Sequence, residues 1–477
     1  MVRRIFLYNT MVRDYEEFKT ITPGLVRMYV CGPTVYDSAH LGHARTYIAF
    51  DAIVRFLESI GYTVIYVRNV TDVGHLREDS GVDRLIHGAE RERRHPMEVA
   101  DKYMMEFFKD MDSLGVRRPD IQPRASMHIP EIIESIQKLI EKGFAYQVDG
   151  SVYFDVSRFA DYGQLSKVKL AELDRHRLEP DPRKRNPADF ALWKEAPAEY
   201  PLRWRSPWGY GFPGWHIECS VMSMKYLGER LDIHGGGSDL VFPHHENEIT
   251  QSESITGKKP FVRYWLHTGE LTVNGRGMHK SLGNYVTVRE ALKKYSPDTI
   301  RIFILSSHYR SPIDFNERAM EQAQENLEKI VQLLNQLSDM ETKEEVDDEL
   351  INNIMARRED FMQAMCNDFN TPAALSHLYG AVSHVNSHIA KAGTVRNPSR
   401  LMQIILEMCN AIGLLRGFTP KRMPVEAERL LAILLDVRRE LRRRGMYELG
   451  DEIRERLAEI GVKIEDTKDG VKVRISL

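Results

Sequence analysis

Short apolar runs alternate along this chain with longer stretches whose apolar residues recur every three or four positions. Leu25 to Val30 is a short apolar run that Cys31-Gly32-Pro33 stops. From Tyr47 to Ile60, the spacing of Ala49, Ala52, Ile53, Phe56, Leu57 and Ile60 predicts a helix with one apolar face. Gly61 ends it, and Thr63 to Val70 is β-branched enough for a buried strand. Strand, helix and strand within about 45 residues make a parallel βαβ unit. A right-handed crossover sets both strand C-termini on one edge, where α/β sheets bind ligands.

That rhythm breaks between Pro119 and Gly214, where a helix (Ile129 to Lys142) precedes a run dense in Pro, Arg and Trp. This reads as an insertion between two halves of one sheet. Strand and helix signals resume with Leu231-Asp232-Ile233-His234, Gly235-Gly236-Gly237 and a helix near Pro243. From Asn316 to about Leu415 the pattern is helical with few glycines, which predicts a bundle. Thr419-Pro420 and Pro424 mark a linker, and the tail holds a helix pair and a strand-like end (Val462 to Ile464, Val471 to Ile475). The expected fold is α/β, a Rossmann-type parallel sheet with an insertion, then an α-helical bundle and a small C-terminal α+β module. The expected divisions are 1–118 and 213–272 for the two sheet halves, 119–212 for the insertion, 273–325, 326–420 for the bundle, and 421–477.

Composition narrows the possibilities without naming a chemistry. The 477 residues are 42% hydrophobic and 28% charged, a globular composition. Sixty-six Lys plus Arg against 69 Asp plus Glu leave a formal charge of −3, so any polyanion must be met by local patches. Four scattered cysteines, Cys31, Cys219, Cys366 and Cys409, make no disulfide scaffold and point to a reducing compartment. The start lacks the apolar core of a signal peptide and no run approaches a membrane span, so a cytoplasmic protein without membrane contact is expected.

Three constellations carry chemistry. His40-Leu41-Gly42-His43 opens the first helix at the sheet edge, where free N–H groups and the helix dipole favour anions. Two imidazoles there can donate to a phosphate whose charge grows in a transition state. Gly275-Arg276-Gly277-Met278-His279-Lys280-Ser281 is a Gly-rich loop whose lysine suits a phosphate clamp. Cys31, Cys219, the pair His244-His245 and Glu248 supply thiols, imidazoles and a carboxylate, a donor set for zinc. His244 and Glu248 are four apart and share a helix face, but His245 with Glu248 is also feasible, so spacing does not choose the histidine.

The His tetrad and the Lys280 loop together resemble the paired signatures of class I aminoacyl-tRNA synthetases. Cys31 through Asp37, Trp215-His216-Ile217-Glu218-Cys219 and Gly235 through Glu248 are similar to the cysteinyl-tRNA synthetase family, as are Asp189 to Lys194 and Asn370-Thr371-Pro372. The resemblance implies activation of L-cysteine with ATP and Mg²⁺, then transfer to tRNA(Cys); a monomer is expected, though the sequence does not fix monomer against dimer. It implies one Zn²⁺ per chain on Cys31, Cys219, His244 and Glu248, which selects the substrate thiolate against serine. Soft sulfur binds zinc far better than a hydroxyl does, whereas shape alone separates such isosteres by only ~1–3 kcal/mol. It also implies ATP handling by His40, His43, Gly237, Asp239 and Lys280, and an amino-acid pocket at Trp215 and Thr71.

In the same resemblance, 273–325 contacts the tRNA stem, and 326–420 and 421–477 lie on the anticodon side. Between Lys421 and Leu477 there are 14 basic and 12 acidic residues, so Arg438, Arg439, Arg442 and Arg443 form a patch rather than a basic tail. Three departures from the family pattern stand out. Gly277 and His279 replace the first lysine and the serine of K-M-S-K-S, Thr71-Asp72-Val73-Gly74-His75 replaces the commoner T-D-I-D-D, and Phe212 replaces an arginine. The cysteine ligase of mycothiol synthesis is similar too, but that family lacks a terminal RNA-binding module. A non-catalytic RNA-binding scaffold would leave the tetrad and the lysine loop without a purpose.

Overall fold

A computed structural model describes residues 3–74, 83–169, 181–278, 283–341, 348–420, 425–459, 462–467 and 470–475. The chain divides into two compact units: Met1–Ala323 with Arg358–Leu378 and Glu407–Arg416, and Gln324–Arg357 with Tyr379–Leu406 and Gly417–Leu477.

The first unit is built on a four-stranded sheet in the order Val262–Thr268, Leu231–Gly237, Leu25–Val30, Thr63–Arg68. All three pairings are parallel, with Val30 beside Arg68 on one side and Gly235 on the other. Val26, Met28, Val30, Val67 and Ile233 are fully buried, as expected for a parallel sheet covered on both faces. From Leu25–Val30 the chain first builds outward to Thr63–Arg68, then returns to build on the opposite side. The reversal point between Leu25–Val30 and Leu231–Gly237 is where such sheets open a ligand crevice. Cys31 is the first residue beyond the strand there.

The insertion contains more sheet than its sequence suggested. Ala145–Val148, Ser151–Phe154, Phe190–Glu195, Gly209–Pro213 and Trp204–Ser206 form an antiparallel five-stranded sheet. Phe190–Glu195 and Gly209–Pro213 lead into helix Trp215–Leu227, so the insertion delivers Cys219 back to the crevice. Strand Leu271–Val273 pairs with Arg276–Gly277, at the start of the Gly-rich segment, and with Ile313–Phe315.

The second unit takes in stretches of the helices Glu317–Asp339, Asp348–Cys366, Thr371–Ala392 and Pro398–Ala411, then Val425–Arg443, Tyr447–Glu459 and the ribbon Val462–Thr467/Gly470–Ile475. No helix among the described residues is long and apolar enough to cross a membrane.

Candidate functional site

His40 is the N-cap of helix Leu41–Ser59, and the local sequence fixes its ring. The Gly42 N–H donates to His40 Nδ1 at 3.1 Å, and the His40 N–H donates to His43 Nδ1 at 3.2 Å. An imidazole nitrogen that accepts carries no proton, so in both neutral rings the proton sits on Nε2. A Cβ at Gly42 would lie 2.8 Å from His40 Cε1 and Nδ1, so glycine is what lets the ring fold over the helix end. The rings lie 3.9 Å apart, and burial with the neighbouring His40 pushes the His43 pKa well below its usual value. Two Nε2–H donors therefore stand at this helix start, whose first backbone N–H groups are themselves taken up, that of Leu41 by the Val286 carbonyl oxygen and that of Gly42 by His40.

Cys31 directly follows strand Leu25–Val30, at the edge of the sheet where the chain turns toward this helix. Its turn is pinned by Gly32, whose N–H donates to Asn69 Oδ1 at 2.6 Å, and a Cβ at Gly32 would stand 1.6 Å from the Asn69 carbonyl oxygen. Around Cys31 the structure gathers Cys219 from helix Trp215–Leu227 and His244, His245 and Glu248 from helix His244–Thr256. The Cys31 and Cys219 sulfurs are 4.0 Å apart. Glu248 Oε1 is 3.6 Å from Cys31 Sγ and 3.0 Å from His244 Nε2. Tetrahedral coordination with metal–sulfur bonds near 2.3 Å requires sulfurs about 3.8 Å apart, so the donor set fits a zinc-like ion. Among the described residues Glu248 Oε2 makes no hydrogen bond, its nearest polar neighbour being His234 Nε2 at 3.6 Å, so the buried carboxylate is left short of partners. His216 Nδ1 sits 2.9 Å from His244 Nδ1, which leaves His244 Nε2 facing the thiols.

The electrostatics agree with a site that exchanges protons for metal. Burial, reinforced by Cys219, raises the Cys31 thiol well above its usual pKa, and burial raises Glu248. Burial also opposes ionisation of Cys219, but hydrogen bonds from Cys31 and His244 overcome it and bring that thiol to about 6. His244 is raised to about 10, because Glu248 and Cys219 outweigh the burial that disfavours its charge. A cation bound among these donors would displace protons from them.

Both histidines reach the cluster. A second set, Cys31, His234, His245 and Glu248, has its donor atoms equally close together. His245 Nε2 is 3.3 Å from Cys31 Sγ, while His245 Nδ1 is 2.8 Å from His267 Nε2, and His267 Nδ1 is 2.8 Å from Thr10 Oγ1. Sequence reasoning missed His234, His267 and Thr10. His234 and His267 lie inside buried strands, where parallel-sheet burial erases the polar alternation that would have marked them.

The remaining expected residues divide in three. Trp215 stacks on His244 at 4.1 Å between ring centroids, and Thr71 is buried beside the Cys31 turn, its N–H donating to the Pro33 carbonyl oxygen at 3.0 Å. Gly237 ends strand Leu231–Gly237 at the same edge, with Asp239 exposed in the turn that follows. Lys280 and His279 lie outside the described residues. Of the four arginines, Arg439 and Arg443 are exposed and Arg442 pairs with Asp451 at 3.0 Å. Arg438 departs from expectation. It is 2% exposed and its Nε donates to the Gly450 carbonyl oxygen, so it clamps two helices together rather than facing RNA.

The reversal-point crevice and the imidazole-capped helix start together form the catalytic fold of the class I tRNA synthetases. Residues 17–325 match the family model for the tRNA synthetases class I (C) catalytic domain, and residues 360–416 match the DALR domain. The chain is 46% identical over 479 residues to the cysteine--tRNA ligase of Thermococcus onnurineus, covering 98% of each. It is 45% identical over 473 residues to that of Carboxydothermus hydrogenoformans, covering 98% of this chain and 99% of the relative. A solved Mycobacterium tuberculosis methionyl-tRNA synthetase, in complex with methionyl-adenylate, shares the fold at a TM-score of 0.59 and 15% identity, over 86% of this chain and 94% of that one. The chain belongs to the cysteine--tRNA ligase family.

Proposed function

We propose that the protein activates L-cysteine with ATP, releasing pyrophosphate, and transfers the cysteinyl group to tRNA(Cys). The observation that carries this reading is the buried set of two thiols, an imidazole and a carboxylate at the same sheet edge as the His tetrad. Cys31, Cys219, His244 and Glu248 would hold a zinc ion, which when bound supplies a soft partner for the substrate sulfur that a serine hydroxyl cannot match.

The chain's own residues do the rest. Trp215, stacked on His244, walls the amino-acid side, and Thr71 borders it from the Cys31 turn. The substrate carboxylate attacks the α-phosphate of ATP in line, and the Nε2–H groups of His40 and His43 donate to the phosphate oxygens as their charge grows. Because these donors are neutral and their Nδ1 atoms are engaged by backbone N–H groups, their aim costs no reorganisation during the reaction. Lys280 steadies the departing pyrophosphate with Mg²⁺, and Gly237 and Asp239 border the nucleotide.

The deciding experiment is ATP–pyrophosphate exchange with cysteine and with serine, before and after metal removal, followed by tRNA(Cys) charging. Exchange with cysteine only, lost on chelation and restored by Zn²⁺, is expected. Equal exchange by the metal-free and metal-loaded protein would overturn zinc selection, and exchange without charging would favour a small-molecule cysteine ligase.

A further inference from the structure

Tyr47 stands between the two constellations. It lies one helical turn beyond His43 and is 3% exposed. Its hydroxyl donates to the Cys31 carbonyl oxygen at 3.1 Å. Its ring is parallel to that of His43, 4° between planes and 6.5 Å between centroids. Phe107 meets both rings edge-on, 5.3 Å from Tyr47 and 6.4 Å from His43.

Arg68 completes the assembly. It is fully buried, with its guanidinium carbon 4.7 Å from the Tyr47 ring centroid and 5.1 Å from that of Phe107. Among the described residues no carboxylate pairs with its guanidinium, whose nitrogens make no hydrogen bond of ordinary geometry, so aromatic faces and the neighbouring Tyr66 phenol surround a cation that would ordinarily take a carboxylate. A cation against the ring withdraws electron density from the phenol and strengthens its O–H as a donor.

The Cys31 backbone is therefore held twice. Its N–H donates to the Gly235 carbonyl oxygen at 2.9 Å, within the sheet, and its carbonyl accepts from the tetrad helix through Tyr47. We propose that Tyr47 is a positioning residue whose hydroxyl fixes Cys31 while its ring, braced by Phe107 and Arg68, backs His43, so that the cysteine side and the ATP side of the crevice keep one register. This rests on the function proposed above and adds a residue outside both the tetrad and the metal donor set.

Tyr47→Phe and Tyr47→Leu separate the two arms of this role. Zinc retention against a chelator, the cysteine and ATP KM values in pyrophosphate exchange, and the thermal midpoint are measured for each. Tyr47→Phe keeps the ring, so zinc retention weakens and cysteine KM rises about three- to tenfold while ATP KM is unchanged. Tyr47→Leu adds a rise in ATP KM of similar size. Wild-type zinc retention and cysteine KM in Tyr47→Phe would overturn the proposal, as would, in that same Tyr47→Phe variant, a lowered thermal midpoint with both KM values moved equally. Should wild-type protein show no cysteine-dependent exchange, the proposed function falls, and zinc retention in Tyr47→Phe still decides whether the hydroxyl secures Cys31.

Discussion

Gly42 shows how much one residue can specify. The H-x-G-H spacing placed two histidines at a helix start, but it could not say which nitrogen bears the proton. That follows from backbone N–H groups donating to both Nδ1 atoms, an arrangement a side chain at Gly42 would disturb. Gly42→Ala is expected to push the His40 ring aside and lower kcat for pyrophosphate exchange about tenfold or more, with cysteine KM nearly unchanged; a wild-type kcat would contradict the assignment. Two of the departures from the family pattern also prove to be one. Phe212 stacks on Tyr200 with centroids 5.0 Å apart, and a Cβ at Gly74 would come within 2.8 Å of the Phe212 ring. The phenyl ring fills the space that a side chain at Gly74 would need, a pairing of distant positions that no local reading can detect.

Elements are locked around the tetrad helix by buried charge. Arg45 sends its guanidinium to the carbonyl oxygens of Ile304, His308, Tyr309 and Ser311, gripping the end of helix Pro297–Leu305 and the turn beyond. Asp51 pairs with Arg301 at 2.5 Å and with Arg55 at 2.9 Å, and Arg301 also donates to the Ile412 carbonyl oxygen. Arg301→Met leaves Asp51 buried with one partner fewer and is expected to cost about 3 kcal/mol, read as a lower urea midpoint. A midpoint within error of wild type would show the pair to be dispensable. The helix with its regular apolar spacing and the β-branched strand were legible because one face of each meets the core. The insertion's sheet was not, because Ser151–Phe154 is buried at every position and the alternation that betrays a strand is absent.

At the scale of the whole molecule, the sequence resemblance carried the family and the order of catalytic parts, while the fate of the arginine run depended on packing. Gly450 lets helix Tyr447–Glu459 approach closely, since a Cβ there would lie 2.9 Å from Arg442 Cγ, and this approach covers Arg438. Arg439 and Arg443 remain on the solvent side. Replacing both with Glu is expected to raise the tRNA KM in charging roughly tenfold and flatten its salt dependence, an effect far larger than any on pyrophosphate exchange. Unchanged charging at every salt concentration would remove this helix from the RNA-binding surface.

The sheet's reversal also has a consequence in time. Cys31 and Glu248 are 217 residues apart, yet they face one another only after Leu231–Gly237 has been laid beside Leu25–Val30. At roughly 5–20 residues per second, a ribosome needs on the order of 10–40 s to bridge that interval. Throughout it the nascent polypeptide carries an unmated thiol and half a pocket, so the four donors can act as one site only late, once the second half of the sheet has left the exit tunnel.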